Sequence, residues 1–309
     1  ETLLDYLQPR LFGPLGIEGA TWETCPRGIN TGGWGLSVKT EDIARFGRLY
    51  LQQGRWQGRQ LVPATWVAAA TSRRVDNGPR DNSDWEQGYG YQFWRCRHNA
   101  YRGDGAFGQF CVMMPDQDAV FAATAGTGDM QAVLDLVWDH LLPAMNEEPL
   151  ASDEAAYADL RRKLEELVLP PVKGAATSPV VAEVSGTTYT FEPNDVGLTS
   201  MRFDFEEGPC AVTMQDTLGE HRYPSGYGVW MPGSMRMPGR TGGDVGVLQP
   251  VAARGAWQDD TTYVMKVYMT ETPFCRTATC RFEDDRMILD SELNVSFGPT
   301  EGPRLVGKA

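Results

Sequence analysis

The sequence predicts an α+β protein in two parts: a mixed helix-and-sheet domain over residues 1–150 and an antiparallel β-barrel over residues 186–309, joined by residues 151–185. Three observations predict this division. The chain has 309 residues, which is longer than one ordinary domain. Apolar residues at helical spacing alternate with strand-like stretches in the first half. Short alternating stretches separated by turn residues fill the second half.

Helices are expected in the first half over residues 2–11, 40–53, 63–71 and 130–141. The second helix has Glu41 and Asp42 in its first turn, where carboxylates suit the positive end of the helix dipole. Pro143 ends the fourth helix.

Strands are expected over residues 89–95, 107–114 and 119–125, and Pro-Asp-Gln-Asp at 115–118 is typical of a hairpin turn. Three antiparallel strands backed by the helix at 130–141 form half of an α/β sandwich. Because one sheet edge and one helical face stay uncovered, we expect upstream polypeptide to complete it.

The connecting segment combines a charged helix, over residues 155–167, with the two prolines Pro170 and Pro171, and this composition is typical of a linker. Strands are then expected over residues 187–192, 201–206, 211–215, 227–231, 245–250, 254–258, 263–270, 276–282, 287–289 and 292–297. Short strands with almost no helix predict an antiparallel barrel or sandwich of about eight to ten strands.

Charge and composition exclude several classes of function. With 28 basic and 41 acidic residues the net charge is -13, which disfavours nucleic acid and anionic membranes as partners. Since the chain has no run of eighteen apolar residues, we expect a soluble protein without a membrane span. The compartment, cytoplasmic or exported in a bacterium, stays open.

Neither the histidines nor the cysteines predict a metal or another cofactor. His98, His140 and His221 are isolated, in a hairpin, at a helix end and in a β-turn, whereas ligands and bases need partners. The six cysteines are scattered, so we expect buried thiols. Cys275 and Cys280 are the closest pair, and a disulfide or a pair of metal ligands is the alternative for them.

A series of segments in fixed order carries a family resemblance: GGWGLSVKTEDIARFG from residue 32, LVPATW from 61, GYGYQFW from 88, GDGAFGQ from 103 and MPDQD from 114. Together they resemble the carboxy-terminal half of the serine β-lactamase-like hydrolases, the group of class C β-lactamases, penicillin-binding proteins and esterases. The resemblance covers residues 1 to about 145. It implies the carboxy-terminal half of a β-lactamase/transpeptidase-like α/β sandwich, followed by a lipocalin-like barrel such as some of these hydrolases carry.

The resemblance implies a role for the glycine-rich segment. In the family, a strand beside the active site carries a Lys-Thr-Gly or His-x-Gly triplet, and the next residue offers its backbone N–H to the oxyanion. Gly103, Asp104 and Gly105 match the triplet, and Ala106 matches the N–H donor. Such donors serve acyl transfer because charge develops on the carbonyl oxygen in the transition state, and glycine permits close approach of the substrate.

The triplet departs from the family pattern because Gly103 replaces a cation. Arg102 is the nearest substitute, but in an alternating strand it shares a face with Asp104 and not with Gly103. Tyr101, Arg102 and Trp34 are the candidate substrate-binding side chains. The alternative interpretation is a twisted or bulged strand whose glycines relieve packing.

The family's nucleophile is a Ser-x-x-Lys serine, and no serine of this chain has lysine three residues later. Ser37 and Lys39 miss that spacing by one residue, and the Tyr-x-Asn element is also missing. We expect both upstream of residue 1, so the chain alone should lack the nucleophile. Two functions follow: part of a serine hydrolase acting on a small or peptide-like amide or ester, or a non-catalytic module that binds a ligand or caps the cleft.

Overall fold

The computed structural model describes residues 1–79, 82–146, 148, 150–205, 208–237 and 247–309. The chain divides into two compact units, Glu1–Ala151 and Ser152–Ala309. Among the described residues, no helix combines the length and the apolar character needed to cross a bilayer.

The first unit begins with helix α1 (Leu3–Leu7), a π-helical turn (Gln8–Phe12) and helix α2 (Gly13–Leu15). A capping box starts α1: the Thr2 hydroxyl accepts from the Asp5 N–H at 3.1 Å, and the Asp5 carboxylate accepts from the Thr2 N–H at 3.0 Å. The helical segment is thus longer than the predicted residues 2–11.

Six short elements follow: strands β1 (Thr21–Trp22) and β2 (Leu36–Ser37), helix α3 (Thr40–Leu51), strands β3 (Arg55–Trp56) and β4 (Arg59–Gln60), and helix α4 (Ala64–Thr71). β1 pairs with β2, and β3 with β4. The predictions of α3 and α4 are confirmed within two residues of their ends.

The main sheet of the first unit has four antiparallel strands in the order β5-β6-β7-β8: β5 (Trp94–Arg95), β6 (Tyr101–Gly105), β7 (Gln109–Met114) and β8 (Ala119–Ala123). The predicted strand over 89–95 is wrong for most of its length, because the chain turns where the Gly90 N–H donates to the Phe93 C=O at 2.8 Å. β7 begins at 109 and not at 107, since Phe107 (φ 66°) and Gly108 (φ 95°) make the turn from β6.

Helices cover both faces of this sheet. Helix α5 (Met130–Leu136), continued by a π-helical turn to Leu141, packs Leu134 and Trp138 against Val112 of β7. On the opposite face α3 approaches so closely that a Cβ at Gly47 would lie 2.6 Å from Val120 Cγ1. A glycine is therefore required where the helix crosses the sheet.

The second unit contains helices α6 (Glu154–Glu165) and α7 (Val181–Val184) and strands β9 (Thr188–Phe191), β10 (Ser200–Asp204), β11 (Cys210–Asp216), β12 (Gly219–Ser225), β13 (Met231–Met237), β14 (Val247–Trp257), β15 (Thr262–Met269), β16 (Cys275–Glu283), β17 (Arg286–Leu293) and β18 (Leu305–Lys308). The ten strands form a nearly closed antiparallel barrel in the order β12-β11-β10-β9-β18-β17-β16-β15-β14-β13. The prediction of an all-β second half is confirmed.

Several predicted strand boundaries in this unit are wrong. Residues 247–250 and 254–257 of two separately predicted strands belong to the single strand β14. Residues 245 and 246 lie outside the described residues, as does 206 at the end of another predicted strand. The segments 287–289 and 292–297 meet in β17, which ends at Leu293. The segment 227–231 is mostly a loop before β13, and β12 and β18 were not predicted.

The barrel closes at one seam and has a break at another. β18 pairs with β9 through Gly307 opposite Phe191 and Lys308 opposite Thr190. Between β12 and β13, no ladder of paired residues is found among the described residues. There the Arg236 N–H donates to the side chain of His221, at Nδ1, at 3.2 Å. The predicted placement of His221 in a turn is wrong, because it lies buried within β12 and its Nε2 is 2.9 Å from Asp216 Oδ1.

Side chains fill the barrel interior. Phe203 and Tyr263 pack edge to face at 5.6 Å between ring centroids, and Trp257 lies 5.7 Å from Phe282. Methionines such as Met265 and Met287 pack among these rings. The described part of the interior is therefore a hydrophobic core, and a cavity of about 90 Å³ lies beside it.

Candidate functional site

The edge of β6 that faces β5 is open over half of its length. β5 has only two residues, and its pairing with β6 ends at Arg102. The Cys96 N–H donates to the Ala100 C=O at 2.9 Å, so the backbone groups of residues 100 and 102 point toward β5. Because backbone direction alternates along an antiparallel strand, Asp104 points to the same edge beyond the end of β5. Ala106 is the first residue of the turn that follows β6.

Ala106 lies exposed at the end of this edge. Within the described ranges, no hydrogen bond from its N–H is found. Its C=O accepts from Gln109 Nε2 at 3.2 Å, and the same amide donates to the Ala125 C=O at 2.7 Å. The Thr127 N–H donates to the Phe107 C=O at 3.1 Å. These bonds fix the turn and hold the Ala106 N–H in one direction.

The two glycines of the triplet lie on one face of β6. A Cβ built at Gly103 would meet nothing within 4 Å, so open space lies beside it. A Cβ at Gly105 would lie 3.3 Å from the side chain of Gln109. Gly103 thus relieves no close contact and leaves room for a ligand along the strand.

Arg102 lies on the opposite face and is fully buried. Its Nε donates to Asp104 Oδ2 at 2.8 Å, its Nη1 donates to the Asp84 C=O at 2.7 Å, and its guanidinium lies 4.3 Å from the ring of Trp85. Burial raises the pKa of Asp104, although the charge and hydrogen bond of Arg102 oppose the shift. The pair is an internal ion pair, and Arg102 does not extend to the open edge.

Asp84 supports this ion pair, and sequence reasoning missed it because Asn82-Ser83-Asp84 resembles an ordinary polar loop. The carboxylate is fully buried and accepts from the Arg97 backbone N–H at 2.8 Å, Arg97 Nε at 3.1 Å, Gln131 Nε2 at 2.8 Å and Trp138 Nε1 at 2.8 Å. Burial acts to raise the pKa of Asp84, but the hydrogen bonds from Arg97, Gln131 and Trp138 together hold it below the usual range.

Tyr101 and Trp34 differ in exposure. Tyr101, on β6, is buried and packs edge to face on Phe93 at 5.9 Å, and burial raises the pKa of its phenol. Trp34 is 48% exposed in the loop between β1 and β2, where its C=O accepts from Trp22 Nε1 at 3.1 Å and from the Thr31 hydroxyl. The predicted residues 101–106 are therefore contiguous along one strand and its turn, and Trp34 belongs to a separate loop.

The cysteine thiols are poor candidates for a nucleophile. All six cysteines are free, and five are buried. Burial raises the pKa of Cys96 to about 11 and that of Cys111 to about 12, so both stay protonated at neutral pH. In the part of the chain that the structure describes, no group of three or more His, Cys, Asp or Glu side chains is arranged to hold a metal ion.

The geometry of the first unit agrees with sequence comparison. Residues 1–139 match the family model described as Beta-lactamase. This unit is therefore a domain of the serine β-lactamase-like family, and the predicted family is confirmed.

Solved structures give weaker similarities. The structure named "Putative 6-aminohexanoate-dimer hydrolase from Bacillus anthracis" is 22% identical over 55% of this chain and 40% of its own length, with a TM-score of 0.37. The fatty acid-binding protein in brain tissue of Drosophila melanogaster is 13% identical over 41% of this chain and 99% of its own length, with a TM-score of 0.30. The chain thus spans less than half of the hydrolase. No curated protein sequence matched.

Proposed function

We propose that the chain is the carboxy-terminal portion of a β-lactamase-like serine hydrolase that transfers the acyl group of an amide or ester, and that the open edge of β6 forms one wall of the cleft. One observation carries the proposal: Ala106 is exposed in the turn that follows β6, beyond the end of the pairing with β5, and its N–H has no partner among the described groups. A fixed donor of this kind stabilises the oxyanion that forms during acyl transfer.

The attacking hydroxyl, in this proposal, belongs to polypeptide outside the 309 residues, because no Ser-x-x-Lys pair occurs within them. The open space beside Gly103 is where a substrate would lie between that segment and β6. Substrates as different as a lactam, an ester and a D-amino peptide share the same acyl chemistry.

Covalent labelling tests the assignment of the nucleophile. We expect neither a fluorescent penicillin nor a fluorophosphonate to label the 309-residue chain, and a labelled serine anywhere in it would contradict the proposal. Adding the upstream segment, with its Ser-x-x-Lys, should restore labelling and esterase activity.

The oxyanion role of Ala106 is tested in the completed protein. Ala106→Pro removes the N–H, and we expect kcat to fall about 100- to 1,000-fold, the usual cost of losing one oxyanion donor. Ala106→Gly is the matched control, since it keeps the N–H and should keep most of the activity. Equal kcat values for the two variants would exclude Ala106 as a donor.

A non-catalytic module that binds a ligand or caps the cleft is the second candidate. The position of Arg102 favours it: this cation, adjacent to the triplet in sequence, is buried and paired with Asp104, so it is not free to meet a substrate at Gly103. Because side chains fill the barrel interior, a structural cap is favoured for this unit, and a lipocalin-like barrel that holds a large ligand is disfavoured. An upstream sequence without Ser-x-x-Lys would favour this candidate.

A further inference from the structure

The barrel of the second unit has a cavity at the end covered by residues 174–184. This covering segment is attached to the barrel by reciprocal backbone hydrogen bonds between Ala175 and Trp257, at 2.7 and 2.9 Å, and by the burial of Val184 in the core. The cavity has a volume of about 90 Å³. It is lined on the barrel side by Phe205, Cys210, Ser225, Gly255 and Tyr263.

Two buried hydroxyl groups give this cavity its polarity. Ser225 Oγ and Tyr263 Oη are 3.1 Å apart, and the residues are 1% and 3% exposed. Their mutual hydrogen bond uses one of the two O–H hydrogens, whichever hydroxyl donates. Among the described residues, no other acceptor for either hydroxyl is found. One O–H donor is therefore left over, and a buried donor without an acceptor costs free energy.

The residues around the cavity favour a ligand whose hydrogen-bond acceptor is uncharged. None of the described residues that line the cavity is Arg or Lys. Burial is the main cause of the raised pKa of the Cys210 thiol, and the negative charge of Asp204 adds to it. A carboxylate or phosphate brought here would lose its hydration without gaining a cation, which is strongly unfavourable.

The volume limits the size of the occupant. One water needs about 10–15 Å³ of such space, so the cavity is larger than a single water site. It is smaller than the several hundred Å³ of a site for a drug-sized ligand. The space suits a molecule of about six non-hydrogen atoms.

We propose that this cavity binds a small neutral molecule through a carbonyl or ether oxygen that accepts the spare O–H of the Ser225–Tyr263 pair. The apolar remainder of the ligand packs against Phe205 and the covering segment. The site lies wholly within the second unit, so it stands or falls independently of the acyl-transfer proposal.

The test uses the full chain with cyclopentanone and 2-pyrrolidinone as neutral probes and butyrate as an anionic probe of similar size. Binding is measured by saturation-transfer NMR and by titration of protein chemical shifts in the millimolar range. We expect both neutral probes to bind and butyrate to bind at least about tenfold more weakly, because its charge would be buried without a partner.

Variants locate the site. In Ser225→Ala or Tyr263→Phe the remaining hydroxyl can still donate to the probe, so each should weaken cyclopentanone binding only slightly. The double variant removes both donors and leaves the probe oxygen unsatisfied, so binding should weaken about tenfold or more. Gly255→Ala should also weaken binding, since its Cβ would collide with Tyr263 Oη. Ser234→Ala, at an exposed position of β13, is the control.

Three results would overturn the proposal: no binding of either neutral probe, which would mean a cavity for water only; butyrate binding as tightly as cyclopentanone; or unchanged binding in the double variant. The thermal unfolding midpoint of each variant is measured alongside. If the double variant does not fold, Gly255→Ala decides the location, and unchanged probe binding in it counts against the site.

Discussion

Replacing Asp84 by alanine should destabilise the first unit markedly. The substitution removes the acceptor through which the loop before β5 is bonded to Arg97 just after β5, to Gln131 of α5 and to Trp138 of the π-helical turn that follows α5. The donors of Gln131 and Trp138 would stay behind in a site from which water is largely excluded. Buried donors left without partners cost about 1–3 kcal/mol each.

The magnitude follows from what the remaining groups can still do. Removing one partner of a buried ion pair costs about 3–5 kcal/mol. The loss at Arg97 should be smaller than at a fully buried partner, because its side chain is 23% exposed and keeps its ion pair with Asp135 at 2.5 Å. We therefore expect a loss near the lower limit, about 3 kcal/mol for Asp84→Ala. Asp84→Asn keeps the shape and one acceptor oxygen, so its cost should be smaller, about 1–2 kcal/mol.

The effect should depend on pH in a defined direction. The pKa of Asp84 is lower in the folded protein than the ordinary value near 3.9. A lowered pKa contributes stability that is complete above the unfolded-state value and is lost as pH falls through the folded-state value. The difference in stability between wild type and Asp84→Asn should therefore be constant from pH 5 to 7 and shrink below about pH 4.

Hydrogen exchange with mass spectrometry is the suitable assay, because a chain of two units need not unfold in one transition. Peptides covering β5–β7 and α5 report the first unit, and barrel peptides are the internal control. Asp76→Ala is the matched control, since Asp76 pairs with Arg73 at the surface and is 76% exposed. The reasoning is refuted if Asp84→Ala loses no more protection than this control.

Three further predictions concern packing, the barrel seam and the thiols. Gly47→Ala places a Cβ 2.8 Å from Cys111 Sγ, so it should lower the free energy of unfolding, measured by urea titration, by about 1–3 kcal/mol. Gly103→Ala is the control, because its Cβ meets open space and should change this free energy little. His221→Ala should speed amide exchange in β12 and β13, since it removes both hydrogen bonds of the buried imidazole, whereas His140→Ala at an exposed site should not. Equal exchange in the two variants would argue against a structural role for the imidazole. Iodoacetamide at pH 8 should modify half-buried Cys25 before Cys96, Cys111 and Cys280, because burial raises the pKa of those three thiols to about 11, 12 and 12. Peptide mass spectrometry reads the order, and early modification of Cys280 would count against its burial in the barrel.

Local patterns predicted the helices of the first unit better than the strands. Helix α3 begins at Thr40 as its acidic first turn indicates, because capping and dipole effects act within a few residues. The segment 89–95 alternates like a strand, yet backbone bonds at Gly90 turn it. In the barrel, β12 carries His221 and Pro224, which have little strand preference, and its pairing with β11 stabilises it.

The candidate site was predictable only in part. The triplet at residues 103–105 and the N–H of Ala106 could be proposed from the sequence because a glycine-rich motif is contiguous there, and their role stays a prediction. The role of Asp84 could not be predicted from the sequence, since the tertiary fold brings its partners Arg97, Gln131 and Trp138 to it. Nor does the alternation of β6 indicate that Arg102 is buried, because alternation gives the face of a strand and not what covers it.

The seam between β9 and β18 makes the barrel dependent on its final strand. Only two residue pairs join these strands, and the strands are far apart in the unit's sequence, so their pairing is a long-range contact of the kind that slows folding. Without Leu305–Lys308, β9 and β17 would become unpaired strand edges that could pair with strands of another molecule. The four residues of β18 therefore protect the barrel from edge-to-edge association.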